Sequence, residues 1–311
     1  MELRAAIIST LAYFDLFDYP PTRAEVWRWL FAPDPKYKIQ DTKYTIADVD
    51  SSITELVSAG TLKEENGFVY LADRTGLPAL REERYRHSVR KWRRARRWAR
   101  VFGALPGVEL VGIGNTLAFH AAKDASDIDF FIVTKPGTIW RTRALCAGLA
   151  ALFRLRPTET VTRDKLCLSF FVTDDALDLA PLKHPGAELD IYLLYWIAQM
   201  TPLAGSSHAY DKFFEANAWV WKFLPNTAVR FVTYETNMTG RVLGVLGRVL
   251  GFVSGDFMKE KQMLKFPPAI NEAVARRDGS AVISDSMLKF HLNDRRAQIF
   301  ERWQQRLSTL L

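Results

Sequence analysis

Two cysteines in 311 residues are too few for a disulfide framework, and no CxxC pair occurs. Cys146 lies in an apolar helical run and Cys167 in an apolar strand pattern, so both read as buried thiols, and a reducing, cytoplasmic setting is expected. Long apolar runs are missing too. The opening stretch MELRAAIISTLAYFDLFDYP carries Asp15 and Asp18 and lacks a small-residue cleavage site, while GRVLGVLGRVLGFVSG is short and broken by Arg248. Neither is expected to be a signal peptide or a membrane span. Low-complexity tracts, internal repeats, zinc-type Cys/His spacing, and P-loop, GxGxxG and Gly-x-Ser-x-Gly motifs are all absent. What remains is a globular chain, 48% hydrophobic and 25% charged, long enough for two or three domains.

Basic charge is present but unevenly placed. The chain carries +7, and residues 81 to 100, REERYRHSVRKWRRARRWAR, alone hold ten Arg or Lys against two Glu. A long helix is expected over 78–104, with Tyr85, Val89, Trp92, Ala95, Ala99 and Phe102 forming the docking stripe and the arginines turned outward. Such a run is either a solvated linker helix or a cradle for RNA, DNA or another polyanion, with Arg93, Arg94, Arg96 and Arg97 as contacts.

Before this helix, residues 4–16 show helical periodicity, and Pro-Pro is followed by Thr22 and Glu25 at capping-box spacing. A polar insertion, a third helix closed by Gly60 and a hairpin around Glu-Asn-Gly come next. Helix, helix, helix, hairpin reads as a winged helix over 1–75. Its third helix contains Asp48, Asp50 and Glu55 and no Lys or Arg, which argues against phosphate contact and for a packing or protein-interaction role. A basic linker helix over 76–104 is expected to lead into an α/β pattern over 105–184. Residues 185–311 read as all helical, with breaks at Pro202, Pro225 and Pro267-Pro268.

The chemistry concentrates in GIGNTLAFHAAKDASDIDFFIV, residues 112–133. Strand alternation sends Asp127, Asp129 and Phe131 to one face and Ile128, Phe130 and Ile132 to the other. Two carboxylates converging on one spot repel each other unless a cation or a set of donors lies between them, so a metal is the expected partner.

This segment resembles the nucleotidyltransferase superfamily typified by DNA polymerase β and the aminoglycoside nucleotidyltransferases. There a strand ends in Gly-Ser or Gly-Gly, a short helix follows, and the next strand carries Asp-x-Asp. Here Gly114-Asn115 is followed by eleven residues and then by Asp127-Ile128-Asp129 within SDIDFFIV. The resemblance covers roughly 105–175. With its flanks it is similar to uncharacterised bacterial proteins that place a winged helix before such a core. It implies an α+β fold: a polymerase β-like core, an N-terminal winged-helix domain and an all-helical C-terminal domain. It also implies Mg²⁺ (or Mn²⁺) on Asp127 and Asp129, a nucleoside triphosphate as substrate or ligand, and phosphate contacts from Gly114, Asn115, Thr116 and Ser126.

A third carboxylate is implied on the neighbouring strand, KLCLSFFV. Alternation there puts Cys167, Ser169 and Phe171 on one face, so Ser169 is expected where an acid would stand. Asp174, Asp175, Asp190 and His120 are the substitutes within reach of the argument. The segment MLKFHLNDRRAQIFERW, with Lys289, His291, Asn293, Asp294, Arg295 and Arg296, reads foremost as a capped amphipathic helix and secondarily as a lining of the acceptor site. Two functions follow from this reading: nucleotidyl transfer to a hydroxyl acceptor, or non-catalytic nucleotide sensing relayed through the winged helix and the basic helix. No membrane partner is expected, and the oligomeric state stays open.

Overall fold

Three helices and a hairpin open the chain: α1 (Leu3–Asp15), α2 (Arg23–Arg28), α3 (Ile46–Ser58), β1 (Leu62–Glu65) and β2 (Phe68–Leu71). The computed structural model describes residues 2–33, 44–184, 189–228, 255–277 and 279–311. The polar insertion at 34–43 and the apolar run interrupted by Arg248 lie outside the described residues. α2 starts where its cap demands: the Thr22 hydroxyl accepts from the Glu25 amide while the Glu25 carboxylate takes the Thr22 amide. α1 is buried from Ala6 to Asp15, because one side packs against α3 and the hairpin and the other faces Tyr195 and Trp303 of the C-terminal region.

α4 (Leu77–Gly103) is the long basic helix, and its buried face differs from the expected stripe. Ala95, Ala99 and Phe102 do dock, but Tyr85 is 50% exposed, and Arg81, Arg84, Ser88 and Lys91 are buried instead. Each buried cation has specific acceptors. Arg81 pairs with Glu25 at 3.0 Å and donates to the Phe119 and His120 carbonyls. Arg84 reaches Asp18 and the Phe17 carbonyl. Lys91, 0% exposed, donates to the Asp124 and Ser126 carbonyls and to Asp164. The amino-terminal half of α4 is thus a polar seam on its inner side, and its carboxy-terminal half turns Arg93, Arg96, Arg97 and Arg100 outward.

The rest is α+β, built on a mixed six-stranded sheet. In chain order follow β3 (Val108–Ile113), α5 (Asn115–Ala118), β4 (Ile128–Thr134), α6 (Ile139–Leu152), β5 (Leu166–Thr173), α7 (Ile191–Gln199), β6 (Thr201–Gly205), α8 (Ser207–Ala216), α9 (Gly255–Met263), α10 (Pro268–Arg276), β7 (Ala281–Ile283), β8 (Met287–Phe290) and α11 (Arg296–Ser308). The strand order is β6-β3-β4-β5-β8-β7, with β4 and β5 parallel across the α6 crossover and all other pairs antiparallel. Residues 185–311 are therefore not all helical: three short strands from that region complete both edges of the sheet. β6 carries Pro202, which an edge strand tolerates because one side of it needs no ladder donor. Two apolar clusters cover the sheet. One joins Phe131, Val133, Phe170 and Val172 to α1 and α7, and the other joins Ile128, Phe130, Ile132, Leu166, Leu168 and Phe171 to α4 and α6.

Candidate metal centre

Asp127 and Asp129 reach the start of β4 at the end of a loop that α4 holds from outside. The Lys91 ammonium lies 2.6 Å from the Ser126 carbonyl and 2.7 Å from Asp164, which precedes β5. One cation therefore fixes the approaches to both central strands. Parallel pairing then sets Asp129 opposite Cys167. One ligand atom from each of Asp127, Asp129 and Cys167 lies within 4.8 Å of the others.

This geometry corrects the expectation for Ser169: the group that completes the cluster is Cys167. Register sets Cys167 opposite Asp129, and an irregularity in the ladder just beyond it displaces Ser169. Asp129 pairs with Cys167, but Phe131 pairs with Phe170, so β5 fits one extra residue between these two pairs. Beyond it the faces exchange. Phe170 and Val172 pack beside Phe131 and Val133, whereas Phe171 joins Leu166 and Leu168 on the opposite side. Ser169 sits within the bulge, its hydroxyl 3.2 Å from the Cys167 sulfur and 3.2 Å from His291 Nε2.

Burial, and then the Asp129 charge, push the Asp127 carboxyl up to about 7. Burial likewise raises Asp129, opposed by the Asn115 amide and the Cys167 thiol. Burial and the two aspartates hold the Cys167 thiol well above its usual range. Lys91, the nearby cation, is committed to Asp164 and two carbonyls and only weakly relieves Asp127. Without a further cation, burial and mutual repulsion oppose ionisation of the pair. Two carboxylates so placed fit a divalent ion, whose charge favours their ionised form. A hard ion such as Mg²⁺ would use the oxygens alone, whereas a thiophilic ion gains Cys167 as well.

Gly114 and Asn115 line the recess at Asp129, Ser126 directly precedes Asp127, and Thr116 follows Asn115 in α5. A Cβ on Gly114 would stand 2.6 Å from Trp196 Nε1, so glycine here makes room for an indole. Asn115 has φ +55°, a left-handed conformation that asparagine tolerates. Its amide donates to Asp129 at 2.7 Å and its carbonyl accepts from the Tyr192 hydroxyl at 2.9 Å. The Thr116 carbonyl accepts the Ala121 amide, and the Ser126 hydroxyl turns back to the Lys123 carbonyl. Arg93, Arg96 and Arg97 are exposed and Arg94 half-buried, and among the described residues none of the four forms an ion pair. They are not part of the metal cluster.

The proposed substitutes for a third acid lie elsewhere. Asp174 pairs with Lys212 and Asp175 accepts from Thr173, both about 20 Å along β5 from Cys167. Asp190 caps α7 and pairs with Arg296 at 2.9 Å. His120 stacks on Trp92, with ring centres 5.1 Å apart, and burial lowers its pKa. The segment around His291, expected foremost to be a capped amphipathic helix, borders a cavity of about 500 Å³ beside the cluster. Asn115, Phe170, Trp196 and His291 line both this cavity and the small recess at Asp129. Tyr192 and Trp196 were missed altogether. The period-two run Leu288, Lys289, Phe290, His291 ahead of the true helix start at Arg296 was the available signal.

Compared with protein-family models, with curated proteins and with solved structures, the chain matches none.

Proposed function

We propose that this chain is a divalent-metal-dependent nucleotidyltransferase that moves a nucleotidyl group from a nucleoside triphosphate to a hydroxyl acceptor. The observation that carries the reading is the convergence of Asp127, Asp129 and Cys167 within 4.8 Å at the starts of two parallel strands, with the nearby Lys91 committed elsewhere. Asp127 and Asp129 would hold the ion, Mg²⁺ or Mn²⁺ in the first instance. When bound, it supplies charge neutralisation and alignment for the triphosphate. The chain's own work is positional. Asn115 fixes the Asp129 carboxylate, Tyr192 fixes Asn115, and Lys91 fixes the loop that delivers Asp127. In the transfer the acceptor oxygen bonds to the α-phosphorus, the bond to the bridging oxygen breaks, pyrophosphate leaves with that electron pair, and the hydroxyl proton passes to solvent or to a base.

A second reading, nucleotide sensing without transfer, is favoured by the cluster's composition: it holds no third carboxylate among the described residues. In that case the exposed Arg93, Arg96 and Arg97 would pass the bound state to RNA or DNA. The division proposed for both readings is a winged-helix module (1–75), the basic helix (76–104), the core (105–184) and a C-terminal region (185–311) that also completes the sheet.

Calorimetry with each of the four NTPs and Mg²⁺ or Mn²⁺ tests the common ground, with Asp127→Asn and Asp129→Asn expected to abolish binding. Transfer of α-labelled nucleotide to cell extract then separates the readings. Binding that survives the double Asn substitution would refute both.

A further inference from the structure

We propose that the cavity beside Asp129 is the acceptor site, and that its ligand is a metabolite-sized molecule with an apolar ring, a hydroxyl group and one anionic group. This rests on the transferase reading above and adds the class of acceptor. Size is the first argument: about 500 Å³ lies within the range of small-molecule pockets and does not admit a folded polymer. The walls are the second. Phe17, Phe170, Tyr192 and Trp196 present rings, with Leu193 and Ile299 between them, so the ligand's body is apolar and preferably flat.

Charge is the third argument. Of the three cations on the lining, Lys289 is held by the Gly279 and Ser280 carbonyls, and Arg296 by Asp294, Asp190 and the Leu182 carbonyl. Arg295 is exposed at the rim and makes no ion pair among the described residues. One uncommitted guanidinium suits one carboxylate or phosphate, and not a polycation. The inner end is marked by His291, whose Nε2 is tied to Ser169, itself bonded to Cys167 of the metal cluster. Burial holds this imidazole neutral, with a pKa of about 3, so it offers a hydrogen bond without a charge. A hydroxyl satisfied there would stand on the side of the cavity shared with the Asp129 recess.

The test uses the full chain and 1-anilinonaphthalene-8-sulfonate, an aromatic monoanion, as the probe. Saturable one-to-one binding with a blue-shifted emission is expected, weakened at least about tenfold by Arg295→Glu and lost in Ile299→Trp, which fills the cavity. Arg295 is a surface residue, so its reversal reports on the pocket even if the filled variant folds poorly. Displacement of the probe by 4-hydroxyphenylacetate should need less ligand than displacement by phenylacetate, and His291→Phe should erase that difference. Equal displacement by the two acids in the parent would overturn the hydroxyl assignment. Probe binding undiminished in both Ile299→Trp and Arg295→Glu would overturn the cavity proposal. Mg-ATP calorimetry on the same samples separates the two ideas, since loss of nucleotide binding alone would strike the transferase reading and leave the cavity intact.

Discussion

Replacing Asp127 by Asn should make the metal-free protein more stable above pH 7, although it removes a residue the proposed function requires. The Asp127 carboxyl rises from 3.8 to about 7 on folding, driven by burial first and the Asp129 charge second. A group whose pKa is raised contributes its full stabilisation below the unfolded value, and that contribution is lost as pH rises through the folded one. At pH 8 the parent therefore bears the whole cost of ionising this carboxyl in place. At about 1.4 kcal/mol per tenfold in affinity for the proton, and allowing for partial solvent access, that cost is on the order of 2–4 kcal/mol. Asparagine keeps the shape and carries no charge. Urea denaturation with chelator present should then show the variant more stable by that amount at pH 8 and nearly equal to the parent at pH 4. Mn²⁺ at a thousand times its Kd should cancel or reverse this advantage, because it adds about 4.1 kcal/mol to the parent alone. A parent equal to or more stable than the variant at pH 8 without metal, or a gain independent of pH, would refute the reasoning.

Three further outcomes are expected. Cys167→Ser should lower Zn²⁺ or Cd²⁺ affinity at least about tenfold and leave Mg²⁺ affinity nearly unchanged, read by competition with a fluorescent chelator; equal losses for both ions would remove the sulfur from the cluster. Gly114→Ala should cost about 1–3 kcal/mol in urea denaturation, because its Cβ would stand 2.6 Å from Trp196 Nε1; a neutral effect would mean that the indole moves freely. Charge reversal at Arg93, Arg96 and Arg97 should abolish any salt-dependent retention on immobilised RNA or DNA, with the parent's affinity falling as salt rises by a slope of about 0.7–0.9 per phosphate contacted; retention indifferent to the reversal would make the outer face of α4 a solvated surface.

The convergence of Asp127 and Asp129 was legible because alternation needs no information from outside the segment: in extended backbone the two share a face. The choice of Cys167 over Ser169 was not, because alternation puts both on one face and neither the register nor the extra residue in β5 leaves a mark of its own. Leu168 and Ser169 suit a regular strand as well as a bulged one, and only the pairing of Phe131 with Phe170 reveals the shift. The same limit hid the seam of α4. Arg81, Arg84 and Lys91 look solvated until their acceptors are known, and those lie far along the chain, Asp164 being 73 residues from Lys91. β6, β7 and β8 are three to five residues long, too short to establish a period, and they exist as strands because β3 and β5 present edges to them. The capping box of α2, by contrast, is wholly local and was read correctly from Thr22 and Glu25.

Residues 124–127 look like a loop in every local sense, polar, irregular and ahead of a strand, yet the Lys91 ammonium ties them to α4 and to Asp164. Opening this segment would strand a charge that is 0% exposed and release two carbonyls and Asp164 from it together. The amide of Ile128, bonded to the Lys165 carbonyl, and that of Asp164, bonded to the Ser126 carbonyl, should accordingly exchange with solvent on the timescale of sheet amides rather than loop amides.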